Sequence, residues 1–308
     1  NMGNKASSSA SGPNSKVAIV DEDGMPMAEE EETRPKPARG QRARKVLRQT
    51  SVAVKKAVIT NATVTEVDNV SVKDTMELIL VAKELKAFPE TIISMASLSV
   101  LNLCKNEITE IPAEIGQVRT LTRLLLASNQ LTSIPEEIGQ CSALEELIVA
   151  DNPKLATLPD TLHVLTNLRI LNASRCRFRS IPECAGRLPA LLELDFSFNK
   201  LGKADLDVVC NLDLLRTLRL NSSGLTHLPD RLVRLIYLRE LEASGNALSD
   251  LPDGIEALVN LKTLELENNA FESIPSNVGE LSSLKRLNFM GNPEIRTIPA
   301  TLHKLKHL

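Results

Sequence analysis

The chain has no tryptophan, one tyrosine and six phenylalanines in 308 residues, so leucine, isoleucine and valine have to supply any core. No apolar run is long enough to cross a bilayer as a helix, and no apolar signal-peptide core lies near the start. The five cysteines, Cys104, Cys141, Cys176, Cys184 and Cys210, are spread singly along the chain and read as reduced thiols. A Cys-x-x-Cys pair, a His-Glu-x-x-His helix, a glycine-rich phosphate loop and a nucleophile elbow are all missing. No catalytic constellation, metal set or cofactor site is therefore expected, and the reading is of a non-enzyme. The four histidines (His163, His227, His303, His307) are dispersed and read as surface residues without a role. A net charge of −3, with no basic stripe interleaved with aromatics, speaks against nucleic acid as a partner. Asparagines in glycosylation sequons, such as Asn172 and Asn221, carry no weight in a chain expected to stay in the cytosol.

What the chain has is repetition. From Leu98 onward units of 23 residues, occasionally 24, begin at Leu98, Leu121, Leu144, Leu168, Leu191, Leu215, Leu238, Leu261 and Leu284, after a weaker unit from about Thr75. Each reads approximately L-x-x-L-x-L-x-x-N-x-L-x-x-I-P-x-x-I-G-x-L-x-x. Alternation such as Leu218-Arg219-Leu220 predicts a short strand with one face buried, too short to stand alone and so bound to stack on its neighbours. At the ninth place, Asn106, Asn129, Asn152, Asn199, Asn246, Asn269 and Asn292 offer amides that can satisfy backbone groups where the chain leaves the sheet. Prolines such as Pro112 and Pro135 suit the first turn of a returning helical segment, and the apolar residue three places later points back at the core. Cys176 and Ser223 replace the asparagine, Lys83 does so in the weak unit, and Ala204-Asp205 replaces Ile-Pro. The extra residues near Pro153 and Pro293 predict irregular turns without a change of fold.

These units resemble the leucine-rich repeat family, in the cytoplasmic 23-residue class of Ras-suppressor-like proteins and signalling scaffolds. The resemblance covers residues 75–308 and implies an α/β solenoid: a curved horseshoe with a parallel β-sheet on its concave face and short helical or 3-10 segments on its convex face. The chain stops at Leu308, the first place of a next unit, so the natural protein is expected to continue.

Residues 1–42 form a low-complexity tail, expected to be disordered, with an acidic block (Asp21 to Glu32) followed by a basic one (Arg34 to Lys56). Residues 43–74 read as a basic linker and N-terminal cap, the first part with a weak amphipathic helical pattern and the second as a capping strand or hairpin. Met2-Gly3-Asn4-Lys5-Ala6-Ser7 fits an N-myristoylation signal on Gly3, if Asn1 is a remnant that does not belong to the natural terminus. One acyl chain binds membranes marginally, and the basic block would be the second signal. Ser51 follows Arg48-Gln49-Thr50 as a substrate site for a basophilic kinase. The localisation expected is cytoplasmic, peripheral on the inner face of the plasma membrane.

Side chains at the third, fifth and seventh places alternate with the buried leucines and should line the concave sheet. Val100, Leu125, Ile148 and Ile170 make the early units apolar, whereas Glu193, Asp195, Glu240, Glu242, Glu265 and Glu267, with Arg219 among them, make the later units mostly acidic. Arg216, Arg239, Lys262 and Lys285, at the second place, would partly neutralise those charges. The expected partner is a protein or peptide with apolar and basic segments. The function read from the sequence is an intracellular adaptor or regulatory scaffold tethered to the membrane; the alternative is the recognition part of a larger signalling enzyme, a kinase, phosphatase or cyclase.

Overall fold

The structure is a computed structural model that describes residues 58–59 and 76–308 except 205. Within them, from β2 onward, the chain winds as a succession of similar coils, each giving one short strand and one 3-10 segment. The strands are β1 (Val58–Ile59), β2 (Glu77–Ile79), β3 (Val100–Asn102), β4 (Arg123–Leu125), β5 (Glu146–Ile148), β6 (Ile170–Asn172), β7 (Glu193–Asp195), β8 (Thr217–Arg219), β9 (Glu240–Glu242), β10 (Thr263–Glu265) and β11 (Arg286–Asn288). They form one parallel sheet in sequence order, and each unit's fourth-place leucine sits beside the next: Leu101, Leu124, Leu147, Leu171, Leu194, Leu218, Leu241, Leu264 and Leu287. All but Leu287, in the last coil, are wholly buried. The two-residue strand β1 pairs with β2 and extends the sheet by one strand before the first repeat. The tail and the rest of the linker lie outside the described residues.

The other wall of the solenoid is a stack of 3-10 segments, among them Ala113–Gln117, Glu136–Gln140 and Asp160–Val164. Proline stands one place earlier than the sequence suggested. Pro112, Pro135 and Pro159 are N-caps with extended ψ of 152°, 150° and 145°, outside the helical turn, where they fix φ and accept the first backbone bond of the turn. The residue three places on does turn inward: Ile115, Ile138, Leu162, Leu232, Ile255 and Val278 are wholly buried. Where Ala204-Asp205 stands for Ile-Pro, the N-cap of Asp207–Asn211 is Leu206, at φ −99° and ψ 7°.

Core and ladder are made as the spacing implied. Asn129 donates through Nδ2 to the carbonyls of Leu103 at 2.9 Å and Leu126 at 3.0 Å, and its Oδ1 accepts the Ile108 amide at 3.1 Å. Cys176 and Ser223 keep a donor in the ladder, to Val149 O at 3.3 Å and Phe196 O at 3.1 Å, but have no amide oxygen with which to accept from the preceding coil. The extra residue after Asn152 is absorbed by a turn closed by Leu155 N to Asn152 O at 3.0 Å, and the register between β5 and β6 is kept. The few aromatics matter more than their number suggested. Phe178 and Phe196 pack edge to face at 5.1 Å, as do Phe271 and Phe289, between successive coils.

Candidate protein-binding face

Because the sheet is parallel and in register, each outward place in the repeat becomes a row running across all coils. The fifth-place row reads Ile79, Asn102, Leu125, Ile148, Asn172, Asp195, Arg219, Glu242, Glu265, Asn288. The third-place row reads Glu77, Val100, Arg123, Glu146, Ile170, Glu193, Thr217, Glu240, Thr263, Arg286. Every partner-binding residue expected from the sequence lies in these rows, with Glu267 just past β10 in the seventh-place row. Of the aliphatics, only Leu125 and Ile148 are direct cross-strand neighbours. Val100 and Ile170 share the other row, where Arg123 and Glu146 stand between them as an ion pair. The apolar end of the face is a pair of half-buried aliphatics flanked by two others, not one continuous row.

At the acidic end Arg219 is the hub. Its guanidinium lies 3.1 Å from Glu242, 3.3 Å from Glu240 and 3.6 Å from Glu193, with Asp195 beside it across the β7–β8 pair. Burial works to lower the Arg219 pKa, but the hydrogen bond and charge of Glu242, with Asp195 and Glu193, outweigh it and raise the value. Glu265 has Arg286 at 3.8 Å, and Glu267 accepts from the side-chain amides of Asn268 and Asn288, at 3.1 and 3.3 Å. The second-place cations were expected to offset these carboxylates. Among the described residues Arg216, Arg239, Lys262 and Lys285 are exposed and form no ion pair, because second-place side chains leave the strand at its edge, off the sheet face. Over β7 to β10 and the neighbouring β11, six carboxylates of these rows therefore stand against two cations, Arg219 and Arg286.

A column missed in the sequence borders this surface. The eighth place of every coil has positive φ, at Ala82, Lys105, Ser128, Asp151, Arg175, Phe198, Ser222, Gly245, Asn268 and Gly291. Phe198 is 43% exposed there, with the Arg175 guanidinium 4.0 Å from its ring centroid. The next two places in the column are small. Ser222 and Gly245 leave a depression of about 280 Å³ beside the ring, edged by Glu242, Glu265 and Glu267. Gly245 has φ +69°, and a Cβ there would meet Ser222 Oγ at 2.6 Å, so a side chain at this place would crowd Ser222 on the floor of the dip. Aromatic rim, small floor and acidic wall were all present in the sequence, but only as residues one coil apart.

The remaining sequence candidates are not brought to this face. Gly3 and Ser51 lie outside the described residues. Cys176 belongs to the ladder, and burial raises the thiols of Cys141, Cys176 and Cys184 to about 11. Among the described residues no group of three or more His, Cys, Asp or Glu is placed to hold a metal ion, and no helix is long and apolar enough to cross a membrane.

Comparison with known proteins agrees with the coil geometry. A family model described as Leucine rich repeat matches residues 119–178. No curated protein matches the chain. Among solved structures, a leucine-rich repeat protein of Leptospira interrogans is 28% identical with a TM-score of 0.67, over 81% of this chain and 74% of that one. The plant peptide hormone receptor RGFR1, in complex with RGF2, is 29% identical with a TM-score of 0.65, over 76% of this chain. The Arabidopsis receptor kinase HAESA, in complex with the peptide hormone IDA and the co-receptor SERK1, is 27% identical with a TM-score of 0.58, over 70% of this chain. This chain spans only 39% and 38% of those two receptor chains. With its parallel one-strand coils, asparagine ladder and 3-10 outer wall, the chain has the leucine-rich repeat fold, and residues 119–178 match the leucine-rich repeat model itself.

Proposed function

We propose that this protein is a non-catalytic interaction module, an intracellular adaptor or regulatory scaffold that holds a protein partner on its sheet face. The observation that carries the reading is the net acidic surface over β7 to β10, six carboxylates against Arg219 and Arg286, on the same sheet face as the aliphatic residues Leu125 and Ile148 of β4 and β5. Half-buried aliphatics on an open sheet give a partner an anchor, and excess carboxylates favour a basic segment beside it. RGFR1 and HAESA, similar in fold, are seen in complex with peptide hormones, which supports a peptide or protein as the class of partner. HAESA is also a receptor kinase, which favours a second reading: the recognition part of a larger signalling enzyme. The coding sequence downstream of Leu308 distinguishes the two.

In this reading the tail tethers the scaffold to an anionic membrane through myristate on Gly3 and the charges between Arg34 and Lys56, with phosphate on Ser51 weakening the attraction. Gly3→Ala should release the protein to the soluble fraction, and absence of label from a myristate analogue on a chain starting at Met2 would end the tether.

Partners captured by the full chain are then re-tested with two variants. Ile148→Asp should abolish capture, and Glu240→Lys with Glu242→Lys should weaken it most at low salt, where screening is least. A partner that ignores both but is lost with Tyr237→Glu would move the site to the edge turns, where Leu214, Ile236, Tyr237 and Val259 are each about half exposed.

A further inference from the structure

The acidic part of the sheet face has a counterpart in the same chain. Residues 34–48 (RPKPARGQRARKVLR) carry seven cations and no carboxylate. The face carries Glu193, Asp195, Glu240, Glu242, Glu265 and Glu267. Resting on the reading of this face as a binding surface, we propose that residues 34–48 dock across β7 to β10 and occupy the site until a partner displaces them.

Reach permits this contact and restricts it to that segment. From β1, β7 is six strand steps away and β10 nine, or about 29 and 43 Å at about 4.8 Å per step. Arg48 precedes Val58 by ten residues and Arg39 by nineteen, so extended chain at about 3.3 Å per residue takes them as far as about 33 and 63 Å. The cations between them can therefore lie over β7 to β10, whereas Lys55 and Lys56, three and two residues before Val58, reach no farther than about 10 Å from it. The chemistry of contact is also specific. Arg219 already engages Glu193, Glu240 and Glu242, so an incoming guanidinium meets the carboxylates outside that hub, Glu265 with Arg286 at 3.8 Å and Glu267 held by two neutral amides, where both line the depression beside the Phe198 ring. An arginine seated in that depression would gain charge pairing and stacking together. The acid-free run of 34–48 lies beyond the tail's own acidic block, which ends at Glu32. Basic residues held on the face are unavailable to an anionic membrane, so the two uses of the segment exclude each other.

Zero-length carbodiimide cross-linking of the full chain, read by mass spectrometry, tests the contact. At about 0.02 M salt Lys36 or Lys45 should become joined to Glu240, Glu242, Glu265 or Glu267 within monomers, and the yield should fall at least about fivefold at about 0.5 M salt. Glu265→Lys with Glu267→Lys should remove most of these links, as should Arg42→Glu with Arg44→Glu. Combining the four changes should restore links of reversed polarity, a result that a misfolded variant cannot give. Links confined to the block from Asp21 to Glu32, links between molecules only, or links spread over the carboxylates of the 3-10 wall would each overturn the proposal. None of those outcomes touches the partner reading, which Ile148→Asp decides separately.

Discussion

At the residue scale, the ladder asparagine does the most for its size. Each buried amide answers carbonyls of two coils and an amide of a third segment, so removing it leaves several buried backbone groups without partners. Asn129→Ala is expected to lower stability by about 2–3 kcal/mol, and Asn129→Ser by roughly half as much, because a hydroxyl keeps the donor as Ser223 does. Urea unfolding of the two variants, followed by circular dichroism, checks the order; equal losses would mean that the acceptor, not the donor, carries the ladder. The eighth-place column is the other residue-scale rule. Its left-handed φ costs a non-glycine residue about 1–2 kcal/mol, yet all but two coils place one there. The strand and turn on either side fix the conformation, so the identity of this residue is left to serve the surface, as Phe198 shows.

At the element scale, neither a three-residue strand nor a five-residue 3-10 segment has stability of its own. Each is held by the same element one coil before and after, with Leu147 between Leu124 and Leu171, and Ile138 wholly buried behind Pro135. Ile138→Ala should cost about 3 kcal/mol through the cavity it leaves. Ile298→Ala, at a position 75% exposed, should cost less than about 0.5 kcal/mol. Hydrogen exchange should show the first change opening β4 to β6 ahead of distant strands, since each coil contacts only its neighbours. Uniform loss of protection along the whole sheet would show a cooperative array in place of local coupling.

At the scale of the whole molecule, the coils share one continuous core, and the buried thiols make its stability sensitive to alkali. Burial raises Cys141, Cys176 and Cys184 from 9.0 to about 11, so between those values the folded chain holds protons that the unfolded chain has lost. The sign follows: their contribution is fully present below about pH 9 and disappears as pH rises through about 11. Thermal unfolding should shift downward over that window, and Cys141→Ala with Cys184→Ala should flatten the shift. Little change below pH 9 is expected from either chain; an equal shift in both would trace the alkaline loss to other groups.

The sequence by itself determined the repeat, the parallel order of the strands, the buried leucines and the asparagine ladder. It could do so because a local period of 23 residues, repeated without interruption, admits one way to bury every apolar face. Which of the outward residues meet was decided by tertiary structure. Val100, Leu125, Ile148 and Ile170 read alike in the sequence, but register parts them into two rows and sets Arg123 and Glu146 between. Arg239 stands next to Glu240 in the chain and yet does not pair with it, while Arg219 gathers carboxylates from the strands on both sides of its own, β7 and β9. Phe198 and Gly245 are separated by two coils along the chain and border the same depression. Adjacency across strands is a product of register, twist and side-chain reach, and no window of the sequence one repeat long contains it.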